Sequence, residues 1–330
     1  MANTAAYTTK NTARRISNSK KKSPSLYLIN LSMAILSVDN LRKHYGPVQA
    51  LKGVSFNVPK GAVFGILGPN GSGKTTLLGI IVDILRANSG SVMLFDEKPR
   101  PEHRRRIGTF LETPNFYHYL NAVQNLEIAA AIKGHGKEDI EHVLRQVSLD
   151  QRKHSKFSTY SLGMKQRLAI ASCMLGNPEV MIFDEPTNGL DPVGIAETRE
   201  LIKKLNREGK TIIMASHLLD EVEKVCTHVA ILQKGTLITH GHVDEILVQE
   251  DIVETNAIDN NRLLSAVQHF PGAIKVHLNG QHVELSFEPG TANLEAINRH
   301  CFDQGIVLNH LRLRKKSLEA KFFELTQNNN

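Results

Sequence analysis

The stretch AVFGILGPNGSGKTTLLGIIVDIL, residues Ala62–Leu85, joins an apolar strand-like run to an apolar helical run through Gly68, Gly71 and Gly73. Glycine lets a backbone approach another molecule closely and take positive φ without strain. From Gly68 to Thr75 the spacing is G-x-x-x-x-G-K-T, the loop whose amides wrap a phosphate chain at a helix N-terminus. Gly68, Pro69, Asn70, Gly71, Ser72, Gly73, Lys74, Thr75 and Thr76 are therefore expected to form a phosphate cradle. Lys74, at the solvent-facing start of a helix running to Leu85, would reach the terminal phosphates, and the Thr75 hydroxyl would ligate Mg²⁺. A glycine-rich turn with a chance lysine is the alternative, but the flanking strand and helix are the context a phosphate loop requires. The chain is expected to bind a nucleoside triphosphate.

Composition excludes several classes. At 330 residues, 41% hydrophobic and 22% charged, the chain has room for about two domains. The net charge of +7 is concentrated in Lys10, Arg14, Arg15, Lys20, Lys21 and Lys22, with no acid before Asp39. The remainder is near neutral and lacks the basic footprint of a nucleic-acid binder, so no specific nucleic acid is expected as partner. Three cysteines far apart, without a CxxC pair, fit a reducing compartment better than a disulfide framework or a zinc site. No apolar run reaches the roughly 18–20 residues of a spanning helix, and the expected location is cytoplasmic. Residues 1–32 carry basic charge without apolar periodicity and read as a disordered tail. Deleting them is expected to leave the melting temperature unchanged; a drop of several degrees would show a docked tail.

Beyond Met33, strand-like runs alternate with helical ones: AILSVDNL, ALKGVSFNV, AVFGIL and GSVMLF, then VMIF, TIIMA and HVAIL between helical segments. This alternation implies an α/β core with a mostly parallel sheet and right-handed crossovers. The region from about 115 to 175 reads as a helical insert within residues 33–250. Past residue 250, the order strand, helix, strand, strand, helix, strand predicts a small α+β domain (251–330) of the ferredoxin-like split βαβ kind.

Three further stretches carry chemistry. EVMIFDEPTNGLDP runs an apolar strand into Asp184 and Glu185; Asp184 would hold the metal and Glu185 would orient an attacking water, unless both are merely a solvated strand end. TIIMASHLLDEV sets His217 just past another strand's carboxyl end, where a γ-phosphate could be sensed, although a lone histidine is also commonly structural. In YSLGMKQRLAIASCML, Ser161 and Gly163 open a helix whose hydroxyl, amide and dipole suit an anion. A serine there is also an ordinary N-cap.

Taken together, residues from about Ala34 to Ile246 resemble an ATP-binding-cassette ATPase, in which two subunits sandwich two ATP molecules head to tail. YSLGM stands where the family's signature stands, MIFDEP matches its acid pair, and SHLLDEV matches its switch histidine. NGLD, ending at Asp191, matches the loop that contacts the opposite subunit, and HYGPVQALKGVSF resembles the adenine-stacking loop, which nominates Tyr45. The resemblance implies a P-loop NTPase core, ATP and Mg²⁺ as ligands, a membrane permease as partner, and a second copy or a homologous ATPase as the other half of the sandwich. It also implies a peripheral position on the inner face of the membrane. Leu162 and Met164 depart from the usual signature, leaving Ser161 and Gly163 to make the contact across the dimer. Glu112 stands where the family usually has a glutamine that reaches the metal and the permease. Both variants, with SLEAKFFELT near the C-terminus, look like ABC-2-type exporters, the branch of antibiotic-resistance, multidrug and gliding-motility cassettes. A soluble cassette ATPase of DNA repair or translation is the alternative; it would need a long heptad segment or a second phosphate loop. A GTPase would need N-K-x-D. His240-Gly-His242 reads as a turn, and Arg312–Lys316 as a solvated basic face.

Overall fold

The computed structural model describes residues 34–111, 115–247, 250–315, 318 and 322. The basic tail and Glu112 lie outside the described residues. In chain order the elements begin with β1 (Ala34–Tyr45), β2 (Val48–Pro59), β3 (Val63–Leu67), α1 (Lys74–Ile81), β4 (Ser89–Leu94) and β5 (Ile107–Phe110). Helices α2 (Ala122–Lys133), α3 (Ile140–Gln146) and α4 (Leu162–Met174) follow. Alternation resumes with β6 (Val180–Asp184), α5 (Pro192–Arg207), β7 (Thr211–Ser216), α6 (Leu219–Val225), β8 (His228–Gln233), β9 (Thr236–His242) and α7 (Val243–Leu247). The last stretch is β10 (Asp251–Ala257), α8 (Asn260–Val267), β11 (Ala273–Asn279), β12 (His282–Phe287), α9 (Leu294–Asp303) and β13 (Leu308–Lys315).

The principal sheet has the order β5-β6-β7-β3-β8-β9, parallel throughout except for the β8–β9 hairpin. Strands β3, β6 and β7 are buried at every position. That explains why they read as unbroken apolar runs: helices cover both faces of a parallel sheet. An antiparallel sheet, β2-β1-β4, packs its Leu36, Val54, Phe56 and Leu94 with Phe64, Ile66, Leu77 and Ile182 in one core. The other face of the parallel sheet shares a core with the helices between β5 and β6, through Phe110, Leu126, Leu144, Phe157, Leu168 and Phe183.

Local chemistry sets the helix ends. Asn121 and Gln124 form a reciprocal capping box at the start of α2, and Asp191 with Pro192 starts α5. At the other end of α2, the half-buried Lys133 donates to the carbonyls of Ser172, Cys173 and Leu175 at 2.8–3.3 Å, tying α2 to the C-terminus of α4. Those carbonyls have no intrahelical partner, so a cation is the natural cap. Helix α1 is shorter than the sequence pattern predicts. It stops at Ile81 because Asp83 takes φ 61°, and the Ile84 and Leu85 amides turn back onto the Gly79 carbonyl. His240 and His242 lie on strand β9, paired with Ala230 and His228, and not in a turn.

The C-terminal elements follow the order β-α-β-β-α-β, and their sheet order is β11-β12-β10-β13 with every neighbouring pair antiparallel. This is the ferredoxin-like arrangement. Val253, Leu263, Val267, Val283, Leu285, Ile297 and Cys301 fill its core. Arg314 is no solvated basic group: its guanidinium lies 2.8 Å from Glu254 and 3.0 Å from Glu284. Leu318 is buried in the cluster containing Val222 and Val225 of α6, and its amide donates to Glu223. All three cysteines are free and buried, and burial pushes the Cys173 thiol up to about 12. A thiol that stays protonated is no nucleophile.

Candidate functional site

Parallel register assembles the site. Leu67 of β3 pairs with Ser216 of β7, and Ala215 of β7 pairs with Asp184 of β6. The residues that follow these strand ends, Gly68, His217 and Glu185, therefore emerge side by side at the carboxyl edge of the sheet. That edge is where open α/β sheets bind their ligands. The loop after β3 curls back to start α1. Gly73 caps that helix with φ 106°, and a Cβ on it would stand 2.6 Å from the Ala50 carbonyl, so no other residue fits.

Lys74 does not face solvent at the helix start: it is 6% exposed. Its ammonium donates to the Gly68 carbonyl at 2.8 Å and the Pro69 carbonyl at 3.3 Å, and Glu185 Oε1 is 3.4 Å away. The loop's own carbonyls and one carboxylate thus compensate a buried charge that would otherwise be costly. The Thr75 hydroxyl donates to Asp184 Oδ2 at 2.8 Å. Glu185 takes φ 51°, held there by its amide bonding the Ala215 carbonyl at 3.0 Å. Its other carboxylate oxygen lies 2.8 Å from His217 Nδ1. A non-glycine residue in the left-handed region, held between an ammonium and an imidazole, is the kind of strain that clusters at functional sites.

Lys74, Thr75, Asp184 and Glu185 border one cavity of about 1060 Å³, whereas Gly68, Pro69, Ser72 and His217 are not among the residues that line it. Tyr45, Asn70, Gly71, Gly73, Lys74, Thr75, Thr76, Asp184 and Glu185, all expected from sequence, line it. Tyr45 is 46% exposed at the cavity's outer end, where β1 turns into β2. Gln49, Lys52, Gln166 and Asn188, which fall within the quoted stretches without a role of their own there, line it as well, as does Lys234, which falls in none of them. The walls carry cations, an exposed aromatic ring and a hydroxyl–carboxylate pair, a set suited to an anionic, base-bearing ligand.

Ser161 and Gly163 are not in that lining. Ser161 Oγ caps α4 by accepting the Met164 amide at 3.3 Å, and Asp191 Oδ1 caps α5 by accepting the Gly194 amide at 2.8 Å. The two helix starts are neighbours: a Cβ at Gly189 would meet Leu162 at 3.1 Å, and one at Gly163 would meet Leu190 at 4.0 Å. They form a surface that meets the cavity at Leu162, which lines it; its apolar members, Leu162 and Val193, are 50% and 65% exposed.

Comparison with known proteins matches this geometry to a family. Residues 51–188 match the family described as ABC transporter. The uncharacterized ABC transporter ATP-binding protein YhcH of Bacillus subtilis is 38% identical over 298 residues, covering 88% of this chain and 96% of that protein. The bacitracin transport ATP-binding protein BcrA of Bacillus licheniformis is 36% identical, covering 88% and 97%. Among solved structures, the dimeric post-hydrolysis ATP-binding cassette MJ0796, bound to ADP and Pi, superimposes with a TM-score of 0.57 at 28% identity. That match covers 63% of this chain and 98% of the cassette.

Proposed function

The chain belongs to the ABC transporter family as the ATP-binding, ATP-hydrolysing subunit that powers a separate membrane permease, and from that premise we propose how its residues divide the work. The loop amides from Gly68 to Thr76 and the Lys74 ammonium bind the β- and γ-phosphates, and Tyr45 stacks on the adenine. Thr75 and Asp184 would hold Mg²⁺; a hydroxyl and a carboxylate 2.8 Å apart form the all-oxygen donor set that a hard cation takes. Glu112, in the family's glutamine position, would add a carboxylate to that set. When bound, the ion offsets the charge of the phosphate oxygens.

Glu185 accepts a hydrogen bond from the attacking water and aims it at the γ-phosphorus, while His217 contacts the γ-phosphate and fixes the Glu185 carboxylate. Ser161, Gly163 and Asp191 complete the site of a second copy or a homologous ATPase, so that ATP bridges two cassettes. The observation that carries this reading is the convergence of Lys74, Asp184, Glu185 and His217 at three neighbouring strand ends.

ATP closes the dimer, hydrolysis reopens it, and the motion passes to the permease through the helical insert and the loop around Glu112. A groove of about 660 Å³ with Phe110, Leu111, Asn115, Phe116, Tyr117 and Ile132 among its walls is the docking seat. Attachment to the permease holds the chain at the inner face of the cell membrane, and the direction of transport is export. Gentle detergent extraction of the tagged protein tests the assignment. An abundant polytopic membrane chain is expected to co-purify, and ribosomes or DNA in its place would overturn the reading.

A further inference from the structure

The tip of the β8–β9 hairpin reaches the nucleotide cavity with a residue that no phosphate-binding motif includes. Lys234 and Gly235 form a two-residue turn between Gln233 and Thr236, which pair across the strands. Both have positive φ, 48° and 81°, the mirror-image turn whose twist suits a hairpin. Gly235 adopts that conformation freely, and a Cβ there would stand 2.7 Å from the Ala50 carbonyl. The first position of such a turn favours asparagine, aspartate or glycine. Lysine has neither their conformational freedom nor their short polar side chain, so its left-handed backbone is strained.

The tip is also fixed in place. Gly235 donates its amide to the Ser72 carbonyl at 3.0 Å and accepts the Lys52 amide at 2.8 Å. The turn is thereby fastened to the phosphate loop on one side and to β2 on the other. Lys234, exposed to solvent, lines the same cavity as Lys74, Thr75 and Tyr45. A strained residue, rigidly mounted on the phosphate loop and bordering the cavity, is better explained by a ligand than by the turn.

We propose that Lys234 is a nucleotide-binding residue whose ammonium pairs with the phosphate chain, adding a solvent-facing cation to the buried Lys74. This rests on the reading of the cavity as a nucleotide site. In water, a cation brought within a few ångströms of a phosphate strengthens binding by about fivefold, and salt screens the effect.

Calorimetric titration of the full chain with ATP tests the proposal, beginning with the unsubstituted protein. If that protein does not bind ATP, the nucleotide reading itself fails, and Lys234 fails with it. Lys234→Asn installs a residue the turn prefers while removing the charge. Its Kd for ATP is expected to rise by about fivefold at low salt, with the difference shrinking as ionic strength is raised. Lys234→Arg, which keeps the charge, should hold the original affinity. Lys60→Asn removes the same charge from the turn between β2 and β3, outside the cavity, and should leave affinity unaltered. Melting curves without nucleotide should show Lys234→Asn no less stable than the parent. An unchanged Kd in Lys234→Asn at low salt, or an equal loss in Lys60→Asn, would overturn the assignment.

Discussion

Lys74→Ala is expected to abolish ATP hydrolysis and to weaken ATP binding by roughly two orders of magnitude. A charge-assisted hydrogen bond contributes about 1.5–3 kcal/mol, and the lysine would make at least one to the terminal phosphates. The unliganded protein should register the change as well. Lys74 is buried against the Gly68 and Pro69 carbonyls, and Glu185 Oε1 lies 3.4 Å from its ammonium. Alanine leaves those carbonyls without their donor and leaves Glu185 without the ammonium beside its Oε1. The expected cost is about 1–3 kcal/mol, seen as a melting midpoint lower by several degrees. Phosphate-release assays, calorimetric titration with ATP and thermal scans measure the three effects separately. Turnover at the parental rate would remove Lys74 from the phosphate site. An unchanged midpoint would mean that its contacts with the loop contribute nothing to the fold.

The burial of Lys74 shows where reading the sequence stops short. A lysine at a helix start reads as exposed because an isolated ammonium belongs in water. Its acceptors come from the inward curl of the Gly68 and Pro69 carbonyls, a tertiary feature that residue types do not encode. The acid pair and His217 were legible for the opposite reason. Each follows an unbroken apolar run, and parallel pairing necessarily delivers the ends of such runs to one edge. The β-α-β-β-α-β order after residue 250 was legible in part because strand β12 alternates core residues with polar ones, as in Val283, Leu285 and Phe287.

Helix α1 was overextended because the apolar pattern continues past Ile81, whereas the backbone reverses at Asp83. His240 and His242 were misplaced because a glycine between two histidines looks like a turn. In the fold, Gly241 is a strand residue opposite Val229. Lys234 left no local signal at all. Its link to the phosphate loop runs through Gly235 and Ser72, which no sequence pattern connects.

Glu185→Gln is expected to lower hydrolysis by about 10²–10⁴-fold, the usual contribution of a positioned general base. Glutamine keeps the size of the side chain and can still hydrogen-bond a water, so ATP should bind and persist. If Ser161 and Gly163 complete a partner's site, persisting ATP holds two copies together. Glu185→Gln should then elute as a dimer with Mg²⁺-ATP and as a monomer with ADP, and light scattering gives the two masses directly. Ser161 has two roles to separate, because its hydroxyl also caps α4 through the Met164 amide. Ser161→Asp separates them: aspartate caps a helix as well as serine does, so α4 should keep its start. The added carboxylate, however, would face the phosphates of the opposite cassette and repel them. Combined with Glu185→Gln, it should abolish the ATP-dependent dimer while each chain still binds ATP in its own cavity. The neighbouring helix start at Asp191 provides a second check, since Asp191→Ser retains a cap for α5 and removes a charge from the same surface. A dimer that ignores the nucleotide, or that survives Ser161→Asp, would show that the exposed surface around Leu162 and Val193 joins two chains without ATP between them.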